Sequence, residues 1–245
     1  MVSNFLQPVY RLYESLVQAQ LLDPNSGLGG KLLYAGEIEP QSRDLLYAAN
    51  IAGAASLAAS ADPAVLRAAM RDGVIDFFVN SLEEALRILK NEIRKRQTVS
   101  VGVAADPDRF VEQMLERGVL PDLLPSGSDS TQFDRFLSQG SRQIAEPAFA
   151  PDLRFVTWQV DRDFARWLPQ FDDLAKAVLP PEDHMRQRWL RLAPRYLGRL
   201  AQRQRSLALT EDEFAKFEAQ ATAKYGETGT AAAEAPKISI EKWEF

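Results

Sequence analysis

The stretch Lys31-Leu32-Leu33-Tyr34-Ala35-Gly36-Glu37-Ile38-Glu39-Pro40-Gln41-Ser42-Arg43 decides the fold of this 245-residue chain. Its first five residues are mostly apolar and predict a buried strand. The alanine-rich run at residues 42–53 predicts a helix that packs closely on a sheet. A turn that begins at Gly36 joins the two. A strand, a short turn and a helix in this order are typical of an α/β protein.

The turn between this strand and this helix carries unsuitable residues for a phosphate site. In dinucleotide-binding folds the turn is rich in glycine, so that backbone N–H groups can reach a pyrophosphate. Here Glu37 and Glu39 bring two carboxylates that would repel phosphate, and Pro40 has no N–H to donate. The sequence therefore predicts the scaffold of a nucleotide-binding fold without the site that uses it.

Strands and helices are predicted to alternate up to residue 125. The predicted strands lie at residues 32–35, 55–60, 74–79, 98–103 and 120–124, with helices at 42–53, 62–71, 81–96 and 107–117. Short strands separated by helices favour a parallel sheet covered on both faces. We predict an α/β fold with a Rossmann-like, doubly wound parallel sheet of five or six strands and N-terminal and C-terminal helical additions. The N-terminal addition is an amphipathic helix at residues 4–20.

The remainder of the chain predicts the C-terminal additions. A strand is expected at residues 154–160, and helices are expected at 132–138, 162–177, 181–206 and 211–225. We divide the chain into a domain at 1–140, an extension that packs on it at 141–225, and a linker with a C-terminal arm at 226–245. The arm carries Ile238, Ile240, Trp243 and Phe245, so we expect it to dock on the domain or on a neighbouring subunit.

Composition excludes several kinds of site. The chain has no cysteine, which excludes disulfides, thiolate nucleophiles and Cys-ligated zinc. Its one histidine, His184, is expected on the surface in the first turn of a helix, so most hydrolase triads and histidine-rich metal sites are excluded. No apolar stretch approaches the roughly 20 residues that span a bilayer. The N-terminus lacks the features of a signal peptide, and a cytoplasmic protein is expected.

Several short motifs occur in the order found in a known family. They are Tyr13-Glu14-Ser15-Leu16, Gly30-Lys31, Ala48-Ala49, Ala52-Gly53-Ala54, Ser56-Leu57, Val99-Ser100-Val101 and Arg117-Gly118-Val119-Leu120-Pro121-Asp122. On these motifs residues 10–137 resemble the NAD-binding Rossmann domain of urocanase (urocanate hydratase). The resemblance implies a Rossmann-like fold and descent from a hydro-lyase.

The NAD contacts of that family do not carry over. The family's Gly-Leu-Gly-Gly-Met-Gly-Gly falls on residues 37–43, and the acid that would hold the ribose falls on Ser60. The resemblance implies chemistry in which bound NAD acts as an electrophile on the imidazole ring. The family's catalytic domain, with its essential cysteine, has no counterpart in this sequence. We therefore expect no bound NAD and no urocanate hydratase activity.

Polar residues are predicted at the carboxyl ends of the strands, the edge at which open parallel sheets bind ligands. They are Glu37, Glu39, Asp106, Ser126, Ser128, Asp129 and Ser130. One interpretation is a repurposed pocket for a cationic or polyhydroxylated ligand, or for a hard metal ion held by oxygens. The other is a set of solvated loops. No metal ligand and no catalytic residue is assigned.

An arginine-rich segment provides a second candidate surface. Residues 186–205 hold seven arginines and no acid, whereas 206–245 hold eight acids and four lysines. On the predicted helix the basic stripe consists of Arg191, Arg195, Arg199 and Arg203. It either contacts phosphate or nucleic acid, or pairs with the acidic segment after Ser206 or with a second subunit. The sequence pI near 5 makes nucleic acid the weaker alternative.

Three functional hypotheses remain open. The first is a non-catalytic, urocanase-derived protein that acts through binding or assembly, as a homo-oligomer with a dimer as the simplest state. The second is an enzyme, of the hydratase or lyase kind, that uses carboxylates on another small ligand. The third is a subunit that completes an active site with another chain. The sequence identifies no ligand for any of them.

Overall fold

The computed structural model describes residues 6–19, 23–126, 131–225 and 238–245. The chain divides into two compact units. Residues 11–147 form the parallel-sheet unit, and residues 1–10 with 148–245 form the antiparallel-sheet unit. Helix α1 (Leu6–Ala19) crosses the boundary between them. No described helix is long and apolar enough to cross a membrane.

The parallel-sheet unit confirms the predicted α/β fold. Its described strands are β1 (Leu32–Glu37), β2 (Ala55–Ser60), β3 (Phe77–Val79), β4 (Val99–Ala104), β5 (Leu123–Leu124) and β6 (Arg142–Gln143). Its described helices after α1 are α2 (Pro40–Ala52), α3 (Pro63–Arg71), α4 (Leu82–Arg94), α5 (Pro107–Glu116) and α6 (Thr131–Ser138). The strand order is β3-β4-β2-β1-β5-β6, and all neighbours are parallel. Strand β6 was not predicted.

Small residues explain why β2 and α2 pack closely. All six residues of β2 are buried, and the Ser56 hydroxyl donates to Ser100 Oγ at 2.8 Å, so neither serine is left unpaired beneath the helices. Helix α2 is buried from Leu45 to Ala52. It ends at Gly53, whose φ of 98° is the left-handed conformation that glycine adopts without strain.

Two strands begin later than predicted, for one physical reason. Strand β3 begins at Phe77 because the Asp76 carboxylate accepts the N–H of Ser100 at 2.8 Å. Strand β5 begins at Leu123 because the Asp122 carboxylate accepts the N–H of Leu32 at 2.9 Å. In each case an aspartate side chain takes an N–H that the strand ladder would otherwise have used.

The antiparallel-sheet unit contains a sheet of order β8-β7-β9. Its strands are β7 (Leu153–Val160), β8 (Gln204–Thr210) and β9 (Ile238–Trp243), and its described helices besides the start of α1 are α7 (Leu168–Ala177), α8 (His184–Tyr196) and α9 (Glu211–Tyr225). Trp158 and Trp189 are fully buried in its core. His184 is exposed at the start of α8, as expected.

The predicted helix at residues 181–206 is wrong. Helix α8 ends at Tyr196, a 3-10 helix follows at Gly198–Ala201, and β8 begins at Gln204. Pro194 removes one helical N–H, and Gly198 has a φ of 51°, which stops the right-handed helix. The predicted helix at 162–177 is likewise split into a 3-10 helix, Arg162–Trp167, and α7.

The C-terminal arm is docked as an edge strand. Strand β9 pairs antiparallel with β7 from Phe155↔Trp243 to Val160↔Ile238. The predicted linker at 226–236 lies outside the described residues.

Candidate functional site

The turn after β1 is held by hydrogen bonds within itself and to β2. The N–H of Ile38 donates to Ala59 O at 3.0 Å. The N–H of Glu39 donates to Ser42 Oγ at 2.7 Å, and the Ser42 hydroxyl donates to Glu37 O. Helix α2 then starts at Pro40, which has no N–H. The N–H groups of Ile38 and Glu39 are therefore both used in hydrogen bonds within the protein.

Ile38 anchors this turn in the apolar layer. Its side chain is only 6% exposed although it lies between two exposed glutamates. A Cβ placed on Gly102 of β4 would lie 2.7 Å from Ile75 Cδ1, 2.7 Å from Leu66 Cδ2 and 3.7 Å from Ile38 Cδ1. These side chains converge over Gly102, where the strand has no side chain of its own.

The switch point of the sheet lies between β1 and β5. The chain runs from β1 to β2 on one side and later places β5 on the other, so the ligand crevice of such a sheet opens above these two strands. At this point Phe133 of α6 packs edge-on against Tyr34, with ring centroids 5.9 Å apart. Its Cζ lies 4.0 Å from a Cβ placed on Gly36, where φ is 81°. Burial, together with the charges of Asp108 and Glu37, raises the pKa of Tyr34 well above its usual value.

Of the predicted ligand residues that the structure describes, Asp106 lies apart from those at the ends of the neighbouring strands β1 and β5. Glu37 and Glu39 are exposed, and Ser126 is exposed after β5. Asp106 caps α5, its Oδ1 accepting the N–H of Arg109 at 3.0 Å. Strand β4 is separated from β1 by β2, which puts Asp106 roughly 10 Å from the end of β1. Ser128, Asp129 and Ser130 lie outside the described residues.

Metal binding gains no support from the acidic side chains that the structure describes. No group of three or more His, Cys, Asp or Glu residues in residues 6–19, 23–126, 131–225 and 238–245 could hold a metal ion.

Comparison with protein families decides the ancestry of the parallel-sheet unit. Residues 13–137, just over half of the chain, match the model of the urocanase Rossmann-like domain. The chain belongs to the urocanase family. The match runs from α1 to α6, so it covers β1, the turn after it and the switch point. The resemblance inferred from the motifs at residues 10–137 is confirmed.

The basic stripe of this urocanase-family chain is not continuous. Arg191 and Arg195 lie on α8, Arg199 in the 3-10 helix and Arg203 just before β8. All four are exposed, and none makes an ion pair with a described residue of its own unit. The expected pairing with the acidic segment after Ser206 is therefore not formed within the described part of that unit.

Other arginines of the arginine-rich segment do pair with acids, and sequence reasoning missed them. Arg186 binds Glu213 at 2.5 and 2.9 Å and Asp183 at 2.6 Å. Arg205 binds Asp172 at 3.1 Å, and the indole N–H of Trp158 donates to the same carboxylate at 3.3 Å. The capping box of Thr210 with Glu213, by contrast, is visible in the sequence as Thr-x-x-Glu.

We expect Asp172 to make the stability of the urocanase-family chain pH-dependent. Burial raises the pKa of Asp172 to about 6, although Arg205 and the Trp158 indole lower it. In the unfolded chain an aspartate carboxyl titrates near pH 4. The preference of the folded state for protonated Asp172 therefore contributes fully to stability below about pH 4, and this contribution is lost as the pH rises through about 6. As the pH rises from about 4 to above 6, the wild type should lose up to about 2–3 kcal/mol of unfolding free energy that Asp172→Asn does not lose.

Denaturant unfolding followed by tryptophan fluorescence measures this effect, because all four tryptophans lie in the antiparallel-sheet unit. Asp173→Asn is the matched control, since Asp173 is the adjacent, exposed aspartate. Equal pH profiles for the two variants would show that the titration of Asp172 does not control stability.

Proposed function

We propose that this urocanase-family protein is non-catalytic, does not bind NAD and acts in the cytoplasm through binding or assembly. The observation that carries the proposal is the turn after β1. A pyrophosphate at the start of α2 would need free backbone N–H groups. Ile38 and Glu39 already donate theirs within the protein, and Pro40 has none.

Charge adds to this mismatch. Glu37 and Glu39 are exposed on either side of Ile38. Two like charges about 4 Å apart repel by about 1 kcal/mol in water and about 4 kcal/mol near a protein surface. A dinucleotide pyrophosphate would meet this repulsion at a turn where Ile38 and Glu39 already use their N–H groups and Pro40 has none. The residues of the turn therefore do not fit NAD.

The positions beside the turn support the same conclusion. Phe133 lies against Gly36 at the switch point, where it is 8% exposed. At the position where the family places a ribose-binding acid, Ser60 is buried, and its Oγ accepts the N–H of Asp62 at 3.2 Å. Asp62 itself caps α3, accepting the N–H of Ala64 at 2.7 Å.

The enzymatic alternative requires carboxylates that converge on one substrate. Asp106 caps α5 and lies beyond β2 from Glu37, so these two predicted carboxylates do not form such a group. We therefore favour binding or assembly, with a homo-oligomer as the simplest form.

The purified protein should not hydrate urocanate. We expect the absorbance of urocanate to stay at the level of a protein-free control, with and without added NAD. The chain has no cysteine to match the family's essential one, and its turn does not fit NAD. A loss of urocanate that scales with the amount of protein would overturn the proposal.

A further inference from the structure

Four exposed arginines between residues 191 and 203 make no ion pair with a described acid of their own unit. We call Arg191, Arg195, Arg199 and Arg203 the arginine surface. Leu200, 38% exposed, lies between Arg199 and Arg203 in the sequence. The guanidinium of Arg195 lies 5.4 Å from the ring centroid of Tyr196, and no described acid of the same unit pairs with any of the four. By contrast Arg186 and Arg205, in the same segment, are both paired and largely buried.

The net charge of the chain is unevenly divided between the two units. The antiparallel-sheet unit holds 15 acidic and 15 basic residues, and the parallel-sheet unit holds 19 acidic and 14 basic residues. The whole net charge of −5 therefore belongs to the parallel-sheet unit. A partner for the arginine surface is thus present in every copy of the chain.

Helix α5 carries the matching acidic face. Phe110, Val111 and Met114 are buried against the sheet. The opposite face exposes the acids Asp108, Glu112 and Glu116, which are four residues apart, together with Arg109, so it carries a net charge of −2. None of these three makes an ion pair with a described residue of its own unit, whereas the neighbouring Glu83 is paired with Arg117.

We propose that the arginine surface of one copy docks on the acidic face of α5 in a second copy. A spacing of four residues rises about 6 Å along a helix, so Arg191 and Arg195 can meet two acids of α5 at once. In a two-fold dimer the same contact forms twice. The net charge of −5 opposes nucleic acid as the partner. This inference rests on the assembly role proposed above, and it is independent of the loss of NAD binding.

The test is the mass of the full chain in solution. Light scattering during size exclusion should give a concentration-dependent dimer that weakens as salt rises from about 0.05 to about 0.5 M, because the contact is between exposed charges. Arg191→Glu with Arg195→Glu should weaken the dimer at least about tenfold. Arg67→Glu with Arg71→Glu, on the exposed face of α3, is the matched control and should leave it unchanged.

A complementation experiment separates this contact from loss of folding. Asp108→Arg with Glu112→Arg should also yield monomers, but mixing this variant with Arg191→Glu/Arg195→Glu should restore a heterodimer. A monomeric wild type at low salt, an unchanged dimer in the arginine variant, or no recovery on mixing would each overturn the proposal. So would tight binding of a labelled oligonucleotide that the arginine variant abolishes, because the surface would then face nucleic acid. A monomeric wild type would leave the absence of NAD binding untouched.

Discussion

Glu213→Ala should lower the free energy of unfolding of the antiparallel-sheet unit by about 3–5 kcal/mol. Glu213 is 8% exposed, and its two oxygens bind both terminal nitrogens of Arg186 at 2.5 and 2.9 Å. These contacts hold the pKa of Arg186 above its usual value despite its burial. Removing one partner of a buried pair leaves an undercompensated charge, which is the costly case. The alanine also deletes the acceptor for the N–H of Thr210, at 2.9 Å, and so the capping box of α9.

Urea unfolding followed by tryptophan fluorescence measures this loss. Glu218→Ala is the matched control, because Glu218 lies on the same helix and is exposed. Its effect should stay within about 0.5 kcal/mol. If the two variants unfold at the same urea concentration, the ion pair of Arg186 with Glu213 does not stabilise the unit.

Deleting residues 238–245 should destabilise the antiparallel-sheet unit by on the order of 3–5 kcal/mol. The deletion leaves β7 and β8 as a two-stranded sheet, which is marginal alone. It also removes Phe245, whose ring stacks on Phe149 at 3.7 Å and meets Phe155 edge-on at 5.9 Å. Thermal melting followed by circular dichroism is the suitable measurement, since the deletion removes Trp243.

Point variants test whether the aromatic end of the arm accounts for this effect. Phe245→Ala should lower the unfolding free energy by about 1–2 kcal/mol. Glu244→Ala is the matched control: its side chain is exposed, and its backbone oxygen still accepts from Gln7 Nε2 at 2.7 Å. Unchanged melting of the truncated chain would mean that the arm contributes nothing to stability.

The parallel-sheet unit could be predicted from sequence because its signals are local. The apolar run of β1 and the alanines of α2 each indicate one type of element, and their alternation indicates a parallel sheet. The starts of β3 and β5 were predicted too early. There the carboxylates of Asp76 and Asp122 accept backbone N–H groups of the neighbouring strand, and the sequence does not show which N–H a carboxylate will accept.

The second unit was harder to predict because its decisive contacts are distant in sequence. Strand β8 contains the continuous buried run Leu207–Leu209. Such a run shows no alternation of apolar and polar residues, so its hydrophobic pattern does not distinguish a strand from a helix. Arg205 and Asp172 are 33 residues apart, and Arg186 and Glu213 are 27 apart. Among the described residues, Asp106 lies apart from Glu37 for a related reason: no local motif reveals the strand order, which places β2 between β1 and β4.

Calorimetric titration of the full chain with NAD tests the central claim most directly. The N–H groups of Ile38 and Glu39 are already used, Pro40 has none, and the flanking carboxylates repel phosphate. We therefore predict heats no larger than those of dilution across the titration. Saturable binding with micromolar affinity and a fixed stoichiometry would contradict the account.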